Sequence, residues 1–316
     1  MIRMNNKEII LFGAGKIGKH ALNYFQDKVY CFCDNNKNMW DKTINNKKII
    51  GFENLLHIYD KEKYNIILTI SDRTAIMNIV KSLFDHGINE FDIYSTDMES
   101  ANPKSNIEIF SQIYKNNLWG GGGFYSGPGS RDNQIINPYI KLLKNLLSNN
   151  KFSSICDIGC GDFWIMRQVL NNTTCKYYGI DVVPNLIAYN NEHFGNGNIQ
   201  FINMDASKED KVLPAADLLI IRQVLQHLNN HDIQIILNKS KNYKYVLITE
   251  HIYEGEYVQY NLDKTVGADI RVSRLSGIYV EKAPFSMNNI IHLLHVPQDE
   301  GVIRTSLIIN SNFVNQ

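Results

Sequence analysis

Short apolar runs, each closed by a polar turn and followed by a stretch with helical spacing, recur along the whole chain. In the first third the runs cover residues 7–12, 29–33, 48–50, 65–70 and 90–94, with a helical period over 73–84. Further on they cover 153–158, 177–181, 199–203, 217–221, 243–249, 290–296 and 302–309, with helices predicted at 135–147, 163–170 and 185–193. Continuous apolar runs read as strands covered on both faces, and their alternation with helices predicts parallel sheets. Two α/β domains follow, at 1–98 and 119–316. Between them residues 99–118 read as a linker around Pro103, with one amphipathic stretch at 107–114. The period lapses from 252 to 284, where Asn261, Asp263, Asp269, Arg271, Arg274, Tyr279 and Glu281 crowd together. An irregular segment of that length points to function rather than idle connection. Asp299-Glu300-Gly301 reads as a hairpin turn.

Composition narrows the partners. A chain of 316 residues exceeds one typical core, and 44% hydrophobic residues suffice to bury two. Lys and Arg total 32 and Asp and Glu total 32, so there is no net field to attract nucleic acid, and a small-molecule partner is expected. No apolar run reaches the ~18 residues of a membrane helix, and residues 1–7 lack a secretory apolar segment, so the expectation is cytoplasmic. Cys31, Cys33, Cys156, Cys160 and Cys175 have no zinc spacing and read as free thiols, with no metal expected.

Two strand-to-turn motifs carry candidate chemistry. Gly13-x-Gly15-x-x-Gly18 follows the first strand and Asp34 closes the next, which is a dinucleotide fingerprint in its proper context. Asp157-x-Gly159-x-Gly161-Asp162 follows a later strand, and about twenty residues on Asp181 closes the next. A carboxylate at that strand tip can accept both hydroxyls of a ribose.

The second motif has a sequel. Asp157-x-Gly159-x-Gly161, Gly179-Ile180-Asp181, Asn203-Met204-Asp205 and Asp217-Leu218-Leu219-Ile220 resemble the successive motifs of class I S-adenosylmethionine (SAM)-dependent methyltransferases, over roughly residues 119–316. The resemblance implies an α/β protein of two Rossmann-like domains, the second a seven-stranded methyltransferase sheet with helices on both faces. It implies SAM held by Asp157, Gly159, Gly161, Asp162, Asp181, Val182, Asp205, Ala206 and Arg222, with Asp205 accepting from the adenine amine. Phe163 stands where the family often has a third glycine.

The run Trp119-Gly120-Gly121-Gly122-Gly123-Phe124-Tyr125-Ser126-Gly127 reads as a glycine-jointed lid, with Tyr125, Ser126 and Gly127 at the cofactor. His227 is the first candidate general base, and Glu250-His251, placed at a strand tip, is a second carboxylate–imidazole pair. Arg271 and Arg274 are candidates for holding a substrate phosphate or carboxylate.

The N-terminal part resembles small Rossmann-like modules attached to bacterial enzymes of glycan and nucleotide-sugar modification. That implies either a structural, homo-oligomerising role or a nucleotide or nucleotide sugar at Gly13, Gly15, Gly18 and Asp34. NAD-dependent redox chemistry is a third alternative. The combined expectation is an enzyme O-methylating a sugar, nucleotide sugar or related phosphorylated metabolite in surface-glycan biosynthesis. N-methylation of an amino sugar and a non-catalytic nucleotide-sensing scaffold are the rivals.

Overall fold

The computed structural model describes residues 7–94, 104–150, 152–171 and 173–311. The chain forms two compact units, Met1–Pro103 and Lys104–Gln316.

The first unit runs β1 (Glu8–Phe12), α1 (Lys16–Phe25), β2 (Val29–Cys33), β3 (Thr43–Ile44), β4 (Lys47–Ile50), α2 (Phe52–Ile58), β5 (Tyr64–Leu68), α3 (Arg73–Asp85) and β6 (Asp92–Ile93). Its sheet has the order β3-β4-β2-β1-β5-β6, parallel throughout except for the β3–β4 pair. Strand order reverses at β1, and open α/β sheets place ligands beyond the carboxyl ends of the strands at such a point. Cys31 and Cys33 are buried free thiols on β2, as their apolar neighbours led us to expect.

The second unit opens with α4 (Asn106–Lys115) and α5 (Asn133–Asn150). It continues through β7 (Ser154–Ile158), α6 (Met166–Val169), β8 (Lys176–Asp181), α7 (Pro184–Phe194), β9 (Ile199–Asn203), β10 (Leu218–Arg222), α8 (Asn230–Ser240) and β11 (Tyr245–Tyr253). It closes with β12 (Gln259–Tyr260), β13 (Ser276–Gly277), β14 (Ile290–Gln298) and β15 (Gly301–Ile309). The expected seven strands are present, in the order β14-β15-β11-β10-β7-β8-β9, with β15 antiparallel to both its neighbours. Alternate residues serve opposite faces, as strand geometry requires. Ile155, Leu218, Ile220 and Leu247 pack with Tyr139 and Leu143 of α5, whereas Cys156, Leu219, Ile221 and Val246 pack with Ile233, Ile236 and Leu237 of α8.

Four expectations change. Residues 104–118, assigned to a linker, belong to the second unit, while 99–103 lie outside the described residues. A capping box starts α4: Glu108 Oε2 accepts from the Ser105 amide at 2.8 Å and Ser105 Oγ accepts from the Glu108 amide at 3.3 Å. Buried Ile113 and Tyr114 then anchor the helix.

The helix predicted over 163–170 shrinks to α6, because Phe163 sits at φ 59 and turns its ring against Tyr177, Phe194 and Phe201. A helix that short offers no dipole to a ligand. The predicted 243–249 strand extends to Tyr253, so Glu250 and His251 lie inside β11 and point to opposite faces. Finally, the 252–284 segment is tightly ordered by its own polar groups. Asn261, 3% exposed, donates to the carbonyls of Tyr279, Lys282 and Ala283.

Candidate functional site

The carboxyl ends of β7, β8, β9 and β10 bring together the residues singled out along the sequence. β7 and β10 are sequence-distant neighbours at the reversal of strand order, the position at which such sheets open a crevice. Asp181 ends β8. Its Oδ2 accepts from the Gly161 amide at 3.2 Å and its Oδ1 from the Val183 amide at 3.0 Å. Burial pushes its pKa up to about 6 against the pull of those amides.

Asp157 lies deeper, 5% exposed, and accepts from Tyr177 Oη at 2.6 Å. Burial lifts its pKa to about 7. Asp205, just past β9, takes the Ser207 amide and hydroxyl on Oδ1 at 3.0 and 2.7 Å. Its buried Oδ2 has no hydrogen-bond partner.

Over this edge lies the glycine-rich segment. Gly120 to Gly123 have φ of 85, 74, 72 and 61, a run of left-handed backbone that other residues resist. The segment is docked at several points. Ser126 Oγ bonds Tyr114 Oη of α4 at 3.0 Å and accepts from the Asp162 amide at 3.0 Å, while Arg131 pairs with Asp162 at 2.7 Å. A Cβ at Gly161, itself at φ 55, would stand 2.5 Å from Ser126 Oγ, so only glycine allows this approach. Arg222 Nη2 donates to the Gly129 carbonyl at 2.7 Å, with its guanidinium over Tyr139. Trp119 donates to the Ala268 carbonyl at 3.2 Å and packs against the His227 ring.

These contacts engage several of the residues expected at the cofactor. Asp162 holds the lid through Arg131 and Ser126, and Arg222 braces the same segment at Gly129. Tyr125 packs beside the Arg131 guanidinium, its ring 2.3 Å from where a Gly121 Cβ would be, so the lid folds on itself. Gly127, at φ 91, turns the chain into residues 128–130. Val182 joins Tyr114, Trp119 and Phe124 in an apolar cluster, and Ala206 is buried in the main core.

The candidate catalytic groups are engaged elsewhere. His227 Nδ1 faces the Gly267 carbonyl at 3.2 Å, which can only accept, so that nitrogen carries the proton. Its Nε2 lies 3.3 Å from the Gln226 side-chain amide, which donates to it. Burial, helped by Lys264, pulls the imidazole pKa down to about 4, leaving it neutral at physiological pH.

Glu250 accepts from the amides of Val224, Leu225 and Gln226 at 2.9–3.1 Å, capping the turn that carries His227, and burial raises its pKa to about 7. His251 Nε2, on the other face of β11, is 3.1 Å from the Gln298 carbonyl. The expected Glu250-His251 pair thus does not exist as a unit.

The expected substrate arginines are both buried. Arg271, 0% exposed, donates to the carbonyls of Leu262, Leu225, Gln226 and Leu228 and to Asn230 Oδ1. That accounts for all five of its N–H groups. Arg274, 8% exposed, pairs with Asp269 at 3.8 Å. Among the described residues no group of three or more His, Cys, Asp or Glu is arranged to hold a metal.

In the first unit a pocket of ≈ 410 Å³ lies beyond β1 and β5, lined by Gly13, Gly15, Lys16, Asp34, Thr69 and Asp72 among others. Asp34 Oδ2 accepts from the Ala14 amide at 2.7 Å and Oδ1 from the Asn36 amide at 2.8 Å. Gly18 does not line the pocket. A Cβ there would stand 2.0 Å from the Gly13 carbonyl, so it seats α1 against the turn.

SAM is tested against these residues by the atoms left over. Asp205 Oδ2, which has no hydrogen-bond partner, and the Asp181 carboxylate at the neighbouring strand tip provide an amine acceptor and a diol acceptor, while the glycine turn beside Asp181 is closed over by Val224 at Gly159 and Ser126 at Gly161. The residues fit. Protonating Asp181 removes acceptor capacity, and a ligand that donates to the carboxylate favours its ionised form. Cofactor affinity is therefore expected to rise with pH through about 6 and level off above 7. Titration by calorimetry should find binding about tenfold weaker at pH 5 than at pH 7.5, one unit below the Asp181 pKa. Asp181→Asn should flatten that dependence.

The family model described as "Methyltransferase domain" matches residues 155–243, from within β7 to just past α8. No curated protein matches the chain. Among solved structures it is similar to the N-methyltransferase NodS from Bradyrhizobium japonicum in complex with S-adenosyl-L-homocysteine (SAH). Identity there is 13%, the TM-score is 0.47, and the match covers 64% of this chain and 98% of that one. It is similar to magnesium protoporphyrin IX methyltransferase from Synechocystis, at 12% identity and TM-score 0.42, covering 64% and 94%. It is also similar to human N-acetylserotonin methyltransferase, at 15% identity and TM-score 0.40, covering 74% of this chain and 66%, just under two thirds, of that one. The chain carries a SAM-dependent methyltransferase domain. Among the described residues no helix is long and apolar enough to cross a membrane.

Proposed function

We propose that this SAM-dependent methyltransferase acts on a small acceptor, and that the acceptor is a sugar, a nucleotide sugar or a related phosphorylated metabolite of surface-glycan synthesis, O-methylated in the reaction. The observation that carries the methyl-transfer reading is the series of carboxylates at successive strand ends, Asp157, Asp181 and Asp205, with one oxygen of Asp205 unpartnered. Bound SAM supplies an electrophilic methyl group on a sulfonium. Asp181 and Asp205 hold its nucleoside, and the segment from Trp119 to Arg131 covers the crevice and excludes water. Alignment supplies much of the rate in such an in-line transfer. The sugar-nucleotide reading is supported by the balanced net charge and by the N-terminal pocket at Gly13, Gly15 and Asp34, a site we assign to a nucleotide or nucleotide sugar.

A specific observation favours N-methylation of an amino sugar or small amine as the second reading. Both His227 nitrogens, the Glu250 carboxylate and His251 Nε2 are already hydrogen-bonded, so a proton-accepting role for any of them requires breaking a bond first. A neutral amine brings its own lone pair and needs less help from a base. The test is transfer from isotopically labelled SAM to a panel of nucleotide sugars, amino sugars and simple amines, with the methylated atom located by mass spectrometry and NMR. A labelled O-methyl sugar supports the first reading and label on nitrogen the second. Label on neither class, with SAM still bound, overturns the acceptor assignment.

A further inference from the structure

We propose that Asn106, on α4 and outside the matched methyltransferase segment, is a positioning residue for adenine recognition. It acts through Ser207 to fix the rotation of Asp205. The inference rests on the reading of Asp205 as the acceptor for the adenine amine.

The chain of donors is determined by chemistry. Asp232 carboxylate can only accept, so the Asn106 group facing it is the amide nitrogen, and Asn106 Nδ2 donates to Asp232 Oδ2 at 3.0 Å and to Ser207 Oγ at 3.0 Å. Both amide hydrogens are then used. Ser207 Oγ accepts from Asn106, so its single hydrogen points along its other contact, to Asp205 Oδ1 at 2.7 Å. The Ser207 amide donates to the same oxygen at 3.0 Å. A free carboxylate has two equivalent oxygens, whereas here one holds two donors. The other, Oδ2, is buried without a hydrogen-bond partner and lies 3.8 Å from the ammonium of Lys208, beyond hydrogen-bond length.

Asn106 and Ser207 are 6% and 2% exposed, so water does not compete for these bonds. The position of Asn106 is itself fixed. It is the first residue of α4, directly after the capping serine, and Asp232 is held at the start of α8 by its amide bond to Asn229 Oδ1 at 2.8 Å. The consequence is that α4 sets which Asp205 oxygen is offered to the ligand, without any contact between Asn106 and the ligand.

The test compares binding of SAH with binding of S-inosylhomocysteine, in which a carbonyl replaces the adenine amine, by calorimetry on the full chain. The unaltered protein is expected to prefer SAH by about tenfold or more, the worth of a hydrogen bond to a charged acceptor. Asn106→Ala is expected to reduce that preference to within about threefold while leaving S-inosylhomocysteine affinity in place. Ser207→Ala should do the same without disturbing the start of α4. Equal weakening of both ligands by Asn106→Ala, with Ser207→Ala silent, would mean that α4 is merely structural and would overturn the proposal. If Asp205→Ala leaves the SAH preference intact, the adenine reading of Asp205 fails first and takes the proposal with it.

Discussion

Asp181→Ala is expected to weaken SAM binding by two orders of magnitude or more while leaving the protein folded. The carboxylate accepts from the Gly161 and Val183 amides, so it both shapes the glycine turn and presents its remaining lone pairs at the strand tip. Hydrogen bonds to a charged acceptor contribute about 1.5–3 kcal/mol each. Losing two ribose hydroxyl bonds therefore costs about 3–6 kcal/mol, a factor of at least a hundred in affinity. Fold is guarded by the continuous parallel core through β7, β8 and β10, which alanine at a strand end leaves in place. Calorimetry with SAM and, separately, NAD decides the matter. Unchanged SAM affinity, or binding of NAD alone, would move the active site away from Asp181 and toward the pocket at Gly13 and Gly15.

Arg271→Met tests the opposite kind of assignment. Were Arg271 a substrate anchor, methionine would raise the acceptor KM and spare stability. The structure leads to the reverse expectation. The side chain fastens the carbonyls of Leu225, Gln226 and Leu228, at the turn carrying His227, to Leu262 and Asn230. Its own pKa is pulled down to about 10 by burial. Removing it leaves several buried acceptors unpaired at about 1–3 kcal/mol each, so a loss of at least about 4 kcal/mol is expected, a large share of the stability of a typical domain. For a unit of this size that corresponds to a fall in Tm of about 10 °C or more. Arg274→Met, at a side chain whose ion pair to exposed Asp269 is long, should cost less. Normal melting of Arg271→Met with a raised acceptor KM would restore the substrate role.

The difference between these two residues shows where reading a sequence stops. Asp181 could be singled out because its surroundings are local: an apolar strand, a carboxylate at its tip and a glycine turn about twenty residues earlier define them within one βαβ unit. Arg271 could not be read this way, because its acceptors lie 9 to 46 residues away along the chain, on segments whose proximity only folding creates. A buried arginine and a substrate-binding arginine look alike in one dimension. Glu250 and His251 failed for a related reason. The predicted strand end depended on where the apolar run stopped, yet pairing with β15 carries β11 four residues further and sends the two side chains to opposite faces.

Asn106 and Tyr114 left no sequence signal of function at all. Tyr114 sits on the amphipathic stretch 107–114 that reads as a linker helix and Asn106 just before it, and only packing brings Tyr114 to Ser126 and Asn106 to Ser207. One local clue existed: Ser105 and Glu108 form a capping pair, which marks a true helix start.

By itself, then, the sequence determined the two α/β units, the strands of the second sheet, and the carboxylates Asp181 and Asp205 at strand ends, because periodicity and turn chemistry act over a few residues. Tertiary structure alone decided which polar groups remain available. Burial drives donors to find acceptors. That demand withdrew Arg271, Glu250 and His227 into the frame, and it left Asp205 Oδ2 as an acceptor still to be filled.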